Sequence, residues 1–216
     1  MCGIFGIISE RKIPFENFKK LALISRQRGR DSSGFLTIGK EFKIRKFDKD
    51  IKKTVNFLRN EDFNIAIGHT RLITNSTKDN QPVLSDNISV VHNGIIINHE
   101  ELFEKIGQKR NLEIDTEILP VLINFYLKKN LKYEEIISNV LDLCIGTVSC
   151  CAVIPKNGKI LLFSNNGSLY LGNKSSEIFF ASEKNFLNEI GCKNINKIKN
   201  HIIDIRKSGL INAYFW

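Results

Sequence analysis

The cysteine at position 2 is the first residue of this chain that could do chemistry. It precedes the apolar, strand-like run Gly3 to Ile8, which would hold it at one end of a sheet. Removal of Met1 would give Cys2 a free α-amine beside its thiol. A thiol attacks as its thiolate, and an α-amine that titrates at about 8 can accept the thiol proton near neutral pH. Cys2 would then be a nucleophile that carries its own base; the alternative is a chance Met-Cys start.

Four polar segments further along the chain carry more turn-forming and hydrogen-bonding residues than a connector between strands requires. Each of them lies where a predicted strand ends. They read RGRDSSG from Arg28, GHTRLIT from Gly68, VHNGIIINHEEL from Val91 and DTE from Asp115.

The order and content of these segments resemble the N-terminal-nucleophile (class II) glutamine amidotransferases. The resemblance runs from Cys2 to about Leu187 and is most specific in CGIFGI, RGRDSSG, GHTR and HNGIIINHEEL, with QPVLSDNISVV leading into the last. The sequence looks most like the glutaminase domain of the glucosamine-6-phosphate synthase type. This resemblance implies an α+β fold, the four-layer αββα sandwich of the Ntn hydrolases, in which two antiparallel sheets are flanked by helices.

The resemblance also implies a set of catalytic roles. Cys2 would attack the δ-carbonyl of glutamine, expel ammonia and form a γ-glutamyl thioester that water hydrolyses. The Asn93 side chain and the Gly94 backbone N–H would stabilise the oxyanion, where the loss of one donor typically costs about 100- to 1000-fold in rate. As an alternative, Asn93-Gly94 is a standard hairpin turn.

The amino-acid end of glutamine needs a cation for its carboxylate and an anion for its ammonium group. By the same resemblance, Arg71 and Thr74 would bind the carboxylate, Asp115 would bind the ammonium, and Gly94 would also contact the substrate. The ordinary alternatives are a surface ion pair for Arg71 and a helix N-cap for Asp115.

Two features depart from the glucosamine-6-phosphate synthase pattern. Leu72 stands where that variant has a tryptophan that helps to gate the ammonia channel, and the loop Asn75 to Asn80 is short. Gln81 precedes Pro82 where that variant has His-Pro, and we expect Gln81, like Arg28, to have a supporting role. These changes leave the hydrolytic chemistry intact but alter how an ammonia channel would be sealed.

The pattern of elements predicts a single domain over residues 1–216, with no repeat or Pro/Gly/Ser-rich linker. Strand-like segments cluster at both ends and helical segments in the middle, which favours antiparallel sheets covered by helices. The predicted strands are Gly34 to Ile38, Phe42 to Phe47, Ile65 to His69, Ile88 to Val91, Val148 to Ile154, Ile160 to Phe163 and Ile178 to Ala181. The predicted helices are Phe15 to Gln27, Ile51 to Leu58, His99 to Ile106, Thr116 to Leu127 and Glu134 to Leu143.

Composition restricts the compartment and the partners. The chain has no run of about 18 apolar residues and no basic flank before an apolar leader, which predicts a cytoplasmic protein with no membrane partner. The net charge of +9 comes mainly from lysine without a recognisable nucleic-acid module, so no nucleic acid is expected. Five cysteines without C-x-x-C or zinc-like spacing predict reduced thiols and no metal, and the mechanism requires no cofactor.

These inferences predict a glutaminase whose substrate is L-glutamine. The sequence shows no isomerase, phosphoribosyl-transfer or pyrophosphatase region, so the expected partner is an ammonia-accepting synthase subunit or missing domain, one that could aminate a sugar phosphate. Two alternatives stay open. One is an Ntn hydrolase of another γ-glutamyl amide, against which Arg71, Thr74 and Asp115 argue because together they require a free amino-acid end. The other is a catalytically silent glutamine-binding subunit, against which the presence of Cys2 and Asn93 argues.

Overall fold

The computed structural model describes residues 2–72 and 79–206. Within these two ranges the chain forms twelve strands and six α-helices. The strands are β1 Gly3–Ile8, β2 Ser32–Gly39, β3 Phe42–Phe47, β4 Phe63–Arg71, β5 Val83–Ser85, β6 Ile88–Ile96, β7 Gly146–Ile154, β8 Lys159–Ser164, β9 Tyr170–Lys174, β10 Glu177–Ala181, β11 Lys193–Lys197 and β12 Asn200–Asp204. The α-helices are α1 Phe15–Ser25, α2 Ile51–Thr54, α3 His99–Lys105, α4 Ile118–Lys128, α5 Tyr133–Leu143 and α6 Lys184–Glu189.

The strands form two sheets in which the paired strands are antiparallel. The seven-stranded sheet has the order β11-β9-β10-β1-β4-β2-β3, and the five-stranded sheet has the order β12-β8-β7-β6-β5. The strand β1 that follows Cys2 lies inside the first sheet, between β10 and β4. The strand β6 that carries the HNG motif lies inside the second sheet, between β5 and β7.

Three apolar clusters define the layers of the fold. One cluster lies between the two sheets, a second packs α1, α2 and α6 on the outer face of the seven-stranded sheet, and a third packs α3, α4 and α5 on the outer face of the five-stranded sheet. In β1, Ile4 and Ile8 face the cluster between the sheets, while Phe5 and Ile7 face the helices, as the twofold period of a strand requires. The structure confirms the predicted α+β four-layer αββα sandwich.

The predicted strands and helices are present, and several begin or end at different residues. Strand β6 runs through Asn93-Gly94 to Ile96, so the hairpin-turn alternative is wrong. The elements that the sequence pattern missed are β5, β9, β11, β12 and α6. Three of them are the edge strands β5, β11 and β12, which pair on one side only and can therefore be short or polar. None of the helices in the described ranges is long and apolar enough to cross a membrane.

Candidate active site

Cys2 and Arg71 lie at the same end of the seven-stranded sheet. Gly3 of β1 pairs with Thr70 of β4, so the next register step brings Cys2 opposite Arg71. Because side chains alternate along a strand, Cys2 shares the inner face of the sheet with Ile4, and Arg71 shares it with Ile67. The sandwich therefore directs both functional side chains towards the facing sheet rather than towards the helices.

Asn93 approaches Cys2 from the five-stranded sheet. It alternates with His92 along β6 and shares the inner face with Val91, which packs between the sheets. The Asn93 amide nitrogen donates to the Cys2 carbonyl oxygen at 2.9 Å, and its oxygen accepts from Arg28 Nη2 at 3.2 Å. We assign this orientation because it gives both amide atoms a partner.

Arg28 links these two residues from the 3₁₀ turn Arg26–Arg28 that follows α1. Its Nε donates to the carbonyl oxygen of Cys2 at 2.9 Å, and its guanidinium also forms an ion pair with Glu183. The side chain is only 10% exposed. Arg28 therefore holds the backbone of the nucleophile and the amide of Asn93 together.

Gly94 cannot be replaced by a residue with a side chain without displacing its neighbours. Its φ is +154°, and a Cβ at this position would lie 1.8 Å from the carbonyl oxygen of Thr147 and 2.7 Å from Nε2 of His92. The close approach of β7 thus requires glycine directly after Asn93.

A cavity of about 410 Å³ collects most of the predicted site residues. Cys2, Arg71, Gln81, Gly94 and Asp115 line it. Asn93 and Arg28 are not among the residues that line the cavity, and both donate hydrogen bonds to the backbone carbonyl oxygen of Cys2. Thr74 and most of the loop Asn75 to Asn80 lie outside the described residues.

The two predicted substrate-binding charges stand on different elements. Arg71 ends β4, donates from Nη1 to the carbonyl oxygen of Asp79 and is only 8% exposed, so it does not lie at the surface as the surface ion-pair alternative requires. Asp115 begins a 3₁₀ turn, Asp115–Glu117, that leads into α4. Its Oδ2 accepts from the backbone N–H of Ile96 at 2.7 Å and does not cap this turn, so the N-cap alternative is wrong.

The Gln81 side chain hydrogen-bonds to the backbone of β6 at His92, the residue before Asn93. Its Oε1 accepts from the backbone N–H of His92 at 2.5 Å, and its Nε2 donates to the backbone carbonyl of the same residue at 3.1 Å. The same nitrogen lies 3.2 Å from Oγ1 of Thr116. The amide of Gln81 thus acts like a backbone partner for the residue ahead of Asn93.

Electrostatics at the site disfavour a spontaneous thiolate. Burial raises the pKa of the Cys2 thiol, and a backbone hydrogen bond with Leu72 and the charge of Arg71 lower it by less. Burial also lowers the pKa of His69 to about 3 and lowers the pKa of His92, which keeps both imidazoles neutral near pH 7. Cys2 therefore requires a separate base.

The structure adds charged residues to the cavity that the sequence did not indicate. Glu100, Arg110 and Glu113 line it, and Arg110 donates to Glu100 at 2.8 Å. Arg110 and Glu113 belong to the irregular segment between α3 and the 3₁₀ turn, where no periodicity marks a position as buried or lining. Glu183 follows β10 in a stretch already matched to the family, but only its ion pair with Arg28 reveals its position.

The described residues contain no group of three or more His, Cys, Asp or Glu side chains that could hold a metal ion. The free cysteines other than Cys2 are Cys144, Cys150, Cys151 and Cys192. Three of these four are buried, and burial raises their pKa, as expected of inert core thiols.

Comparison with known proteins gives consistent matches. A family model described as a glutamine amidotransferase domain matches residues 69–189, more than half of the chain. The glutamine–fructose-6-phosphate aminotransferase of Wigglesworthia glossinidia brevipalpis is 35% identical over an alignment of 204 positions, gaps included, that covers 85% of this chain and 32% of that protein. The amidophosphoribosyltransferase of Pasteurella multocida is 29% identical over an alignment of 227 positions, gaps included, that covers 92% of this chain and 45% of that protein.

A solved structure supports the same fold. The glutamine phosphoribosylpyrophosphate amidotransferase from B. subtilis superposes with a TM-score of 0.79 at 20% identity, over 95% of this chain and 48% of that chain. This chain thus spans about a third to a half of the length of each of these three relatives. By the match over residues 69–189, this chain belongs to the glutamine amidotransferase domain family, of the class II type with an N-terminal nucleophile.

Proposed function

We propose that this domain hydrolyses L-glutamine to L-glutamate and ammonia through a γ-glutamyl thioester on Cys2. The observation that carries the proposal is that one cavity is lined by Cys2, Arg71, Gly94 and Asp115 together. It combines a nucleophile, an oxyanion donor, a cation for the substrate carboxylate and an anion for the substrate ammonium. A free amino acid with a side-chain amide is complementary to this set of groups.

The reaction proceeds in two steps. In the first, Sγ of Cys2 bonds to Cδ of glutamine, the C–N bond breaks, and the thiol proton passes through the base to the leaving ammonia. In the second, water attacks the thioester, glutamate leaves, and the sulfur regains a proton. The Asn93 side chain and the Gly94 N–H stabilise the oxyanion in both steps.

The base in this mechanism is the α-amine that removal of Met1 would expose on Cys2. An α-amine titrates near 8, whereas burial raises the pKa of the Cys2 thiol. At pH 7 to 8 a fraction of the amine is therefore unprotonated and can accept the proton of the thiol. Arg28 supports the geometry by donating to the Cys2 carbonyl oxygen at 2.9 Å. It fixes the backbone from which both the amine and the thiol project.

We further propose that the ammonia passes to a synthase unit that aminates a sugar phosphate, present as a separate subunit or as a further domain. The relatives' names specify fructose-6-phosphate in one group and a phosphoribosyl group in the other, and this chain spans less than half of each. Leu72, 44% exposed at the cavity, stands where the resemblance expects the gating tryptophan. Ammonia transfer would therefore depend on a different closure.

The test is intact-mass analysis after treatment with the glutamine analogue 6-diazo-5-oxo-norleucine, together with assays of glutamate and ammonia. A chain without Met1 should gain one adduct on Cys2, protected by glutamine, and Cys2→Ala should gain none. Cys192→Ala is the matched control, since Cys192 is the other partly exposed cysteine in the described ranges. An unlabelled chain that binds glutamine without turnover would overturn the proposal in favour of a silent binding subunit. Faster turnover of another γ-glutamyl amide than of glutamine would overturn it in favour of an Ntn hydrolase of that amide.

A further inference from the structure

Thr116 occupies the centre of a buried polar network behind the cavity. Its side chain is 0% exposed, and its Oγ1 lies 3.2 Å from Nε2 of Gln81 and 3.2 Å from Nδ1 of His92. The other ring nitrogen of His92, Nε2, lies 3.1 Å from the carbonyl oxygen of Thr147. Neither the sequence motifs nor the proposed chemistry assigns a role to this threonine.

The partners determine the direction of each hydrogen bond. The carbonyl oxygen of Thr147 only accepts, so Nε2 of His92 carries the hydrogen. Burial lowers the pKa of His92, so its imidazole is neutral and Nδ1 accepts. The hydroxyl of Thr116 must then donate to Nδ1, and it accepts from Nε2 of Gln81. Every polar atom of this group has a partner in only this arrangement.

The network joins the two halves of the proposed site. Thr116 directly follows Asp115, and His92 directly precedes Asn93. The bond from His92 to Thr147 passes beside Gly94, where an added Cβ would lie 2.7 Å from Nε2. The orientation of the imidazole ring therefore sets the space available to the backbone of the residue that would donate to the oxyanion.

We propose that Thr116 is a positioning residue whose hydroxyl fixes the orientation of the His92 ring. A fixed ring would in turn align the oxyanion donors at Asn93-Gly94 with the Asp115 carboxylate. The inference rests on the proposed glutaminase function and extends it to a residue that does not line the cavity. Valine at this position keeps the shape of threonine but removes the hydroxyl that donates to Nδ1. Nδ1 of His92 would then be a buried acceptor without a partner, and the imidazole ring would be free to turn.

The test compares Thr116→Val with Thr116→Ser in the full chain. Thr116→Val should lower kcat for glutamine by about 10- to 100-fold, because small misplacements of reacting groups cost rates of this order. Thr116→Ser, which keeps the hydroxyl, should stay within about threefold of the wild type. Thr54→Val is the control, since Thr54 is an equally buried threonine whose Oγ1 lies 2.7 Å from Ser33 Oγ, on β2 and outside the cavity.

A second readout does not depend on turnover. Nitrogen-15 spectra of the histidine rings should show His92 as the Nε2–H tautomer, and Thr116→Val should shift its Nδ1 resonance towards that of an acceptor without a donor. The proposal is overturned if folded Thr116→Val keeps wild-type kcat, if the serine variant loses as much as the valine variant, or if the His92 spectrum does not change. If the wild type itself did not turn over glutamine, the proposed function would fail, whereas the spectra would still decide whether Thr116 orients His92.

Discussion

The carbonyl oxygen of Cys2 accepts hydrogen bonds from two residues that are far apart in the chain. Arg28 Nε and Asn93 Nδ2 each lie 2.9 Å from it. Both donors fix the backbone of the nucleophile rather than its sulfur, so the thiol keeps its access to the cavity. At the residue scale, the site is thus organised around the main chain of Cys2, and the polar side chains of Arg71 and Asp115 line the space in front of it.

Replacement of Asp115 by asparagine should weaken recognition of the substrate ammonium group. A hydrogen bond to a charged partner contributes about 1.5 to 3 kcal/mol, so kcat/KM for glutamine should fall by about 10- to 100-fold, mainly through KM. The internal control is glutaramate, the glutamine analogue without an α-amine, whose turnover should change little. Equal losses for both substrates in steady-state assays would contradict a role for Asp115 in binding the ammonium group.

One wall of the cavity depends on a buried carboxylate. Glu117, 3% exposed, accepts from the backbone N–H of Asn111 at 3.1 and 3.2 Å and from that of Leu112 at 2.8 Å. These bonds tie the irregular segment before Ile114 to the 3₁₀ turn that begins at Asp115. At the element scale, the segment has no regular structure of its own and is held by side chains: Glu117 accepts from its backbone at Asn111 and Leu112, and Asp79 accepts from the backbone N–H of Glu113.

Replacement of Glu117 by glutamine should loosen this wall. The amide nitrogen of glutamine is a donor and would face the backbone N–H groups of Asn111 and Leu112, which are also donors. Loss of these hydrogen bonds to a charged group should lower the free energy of unfolding by about 2 kcal/mol. Hydrogen exchange at the amides of Asn111 and Leu112 should become faster, as measured by mass spectrometry. Glu101→Gln, at an exposed position of α3, is the matched control and should change neither quantity. Unchanged exchange in Glu117→Gln would show that other contacts hold the segment.

The whole molecule buries two neutral histidines in the sandwich. His69 lies in β4 and His92 in β6, and both are almost fully inaccessible. Burial, followed by the nearby charge of Arg71, lowers the pKa of His69 to about 3. Because the unfolded pKa is about 6.5, the unfolded chain binds a proton that the folded chain excludes between these two values. This contribution to stability is fully present above pH 6.5 and is lost as the pH falls towards 3.

Acidification should therefore destabilise the fold through His69. Between pH 7 and pH 5 this residue alone should reduce the free energy of unfolding by about 2 kcal/mol, as measured by urea denaturation at both values. His69→Leu should reduce the difference between the two pH values by about that amount. His201→Gln, at an exposed position of β12, should leave the difference unchanged. A variant His69→Leu with the wild-type pH dependence would contradict this assignment.

The sequence by itself determined the class of fold, and it predicted most of the residues that the structure brings together at the candidate site. Short apolar strands at both ends of the chain with helices between them predict covered antiparallel sheets, and the residues flanking Cys2, Arg71 and Asn93 carry the family resemblance. These signals are local, because alternation and turn chemistry depend on neighbouring residues. Polar edge strands such as β11 have no alternation of apolar and polar residues, so the sequence pattern did not predict them.

Only the tertiary structure decided how the predicted residues meet. Antiparallel register places Cys2 opposite Arg71, and the twofold period of β6 turns Asn93 inward and His92 outward. The hydrogen bonds of Gln81, Glu117 and Thr116 join residues that are separated in the chain or lack periodicity. The contacts of Gln81 and Thr116 depend on how separate elements pack, so no short window of sequence contains them. The bonds of Glu117 span only five or six residues, but they lie in an irregular segment where no periodicity predicts them.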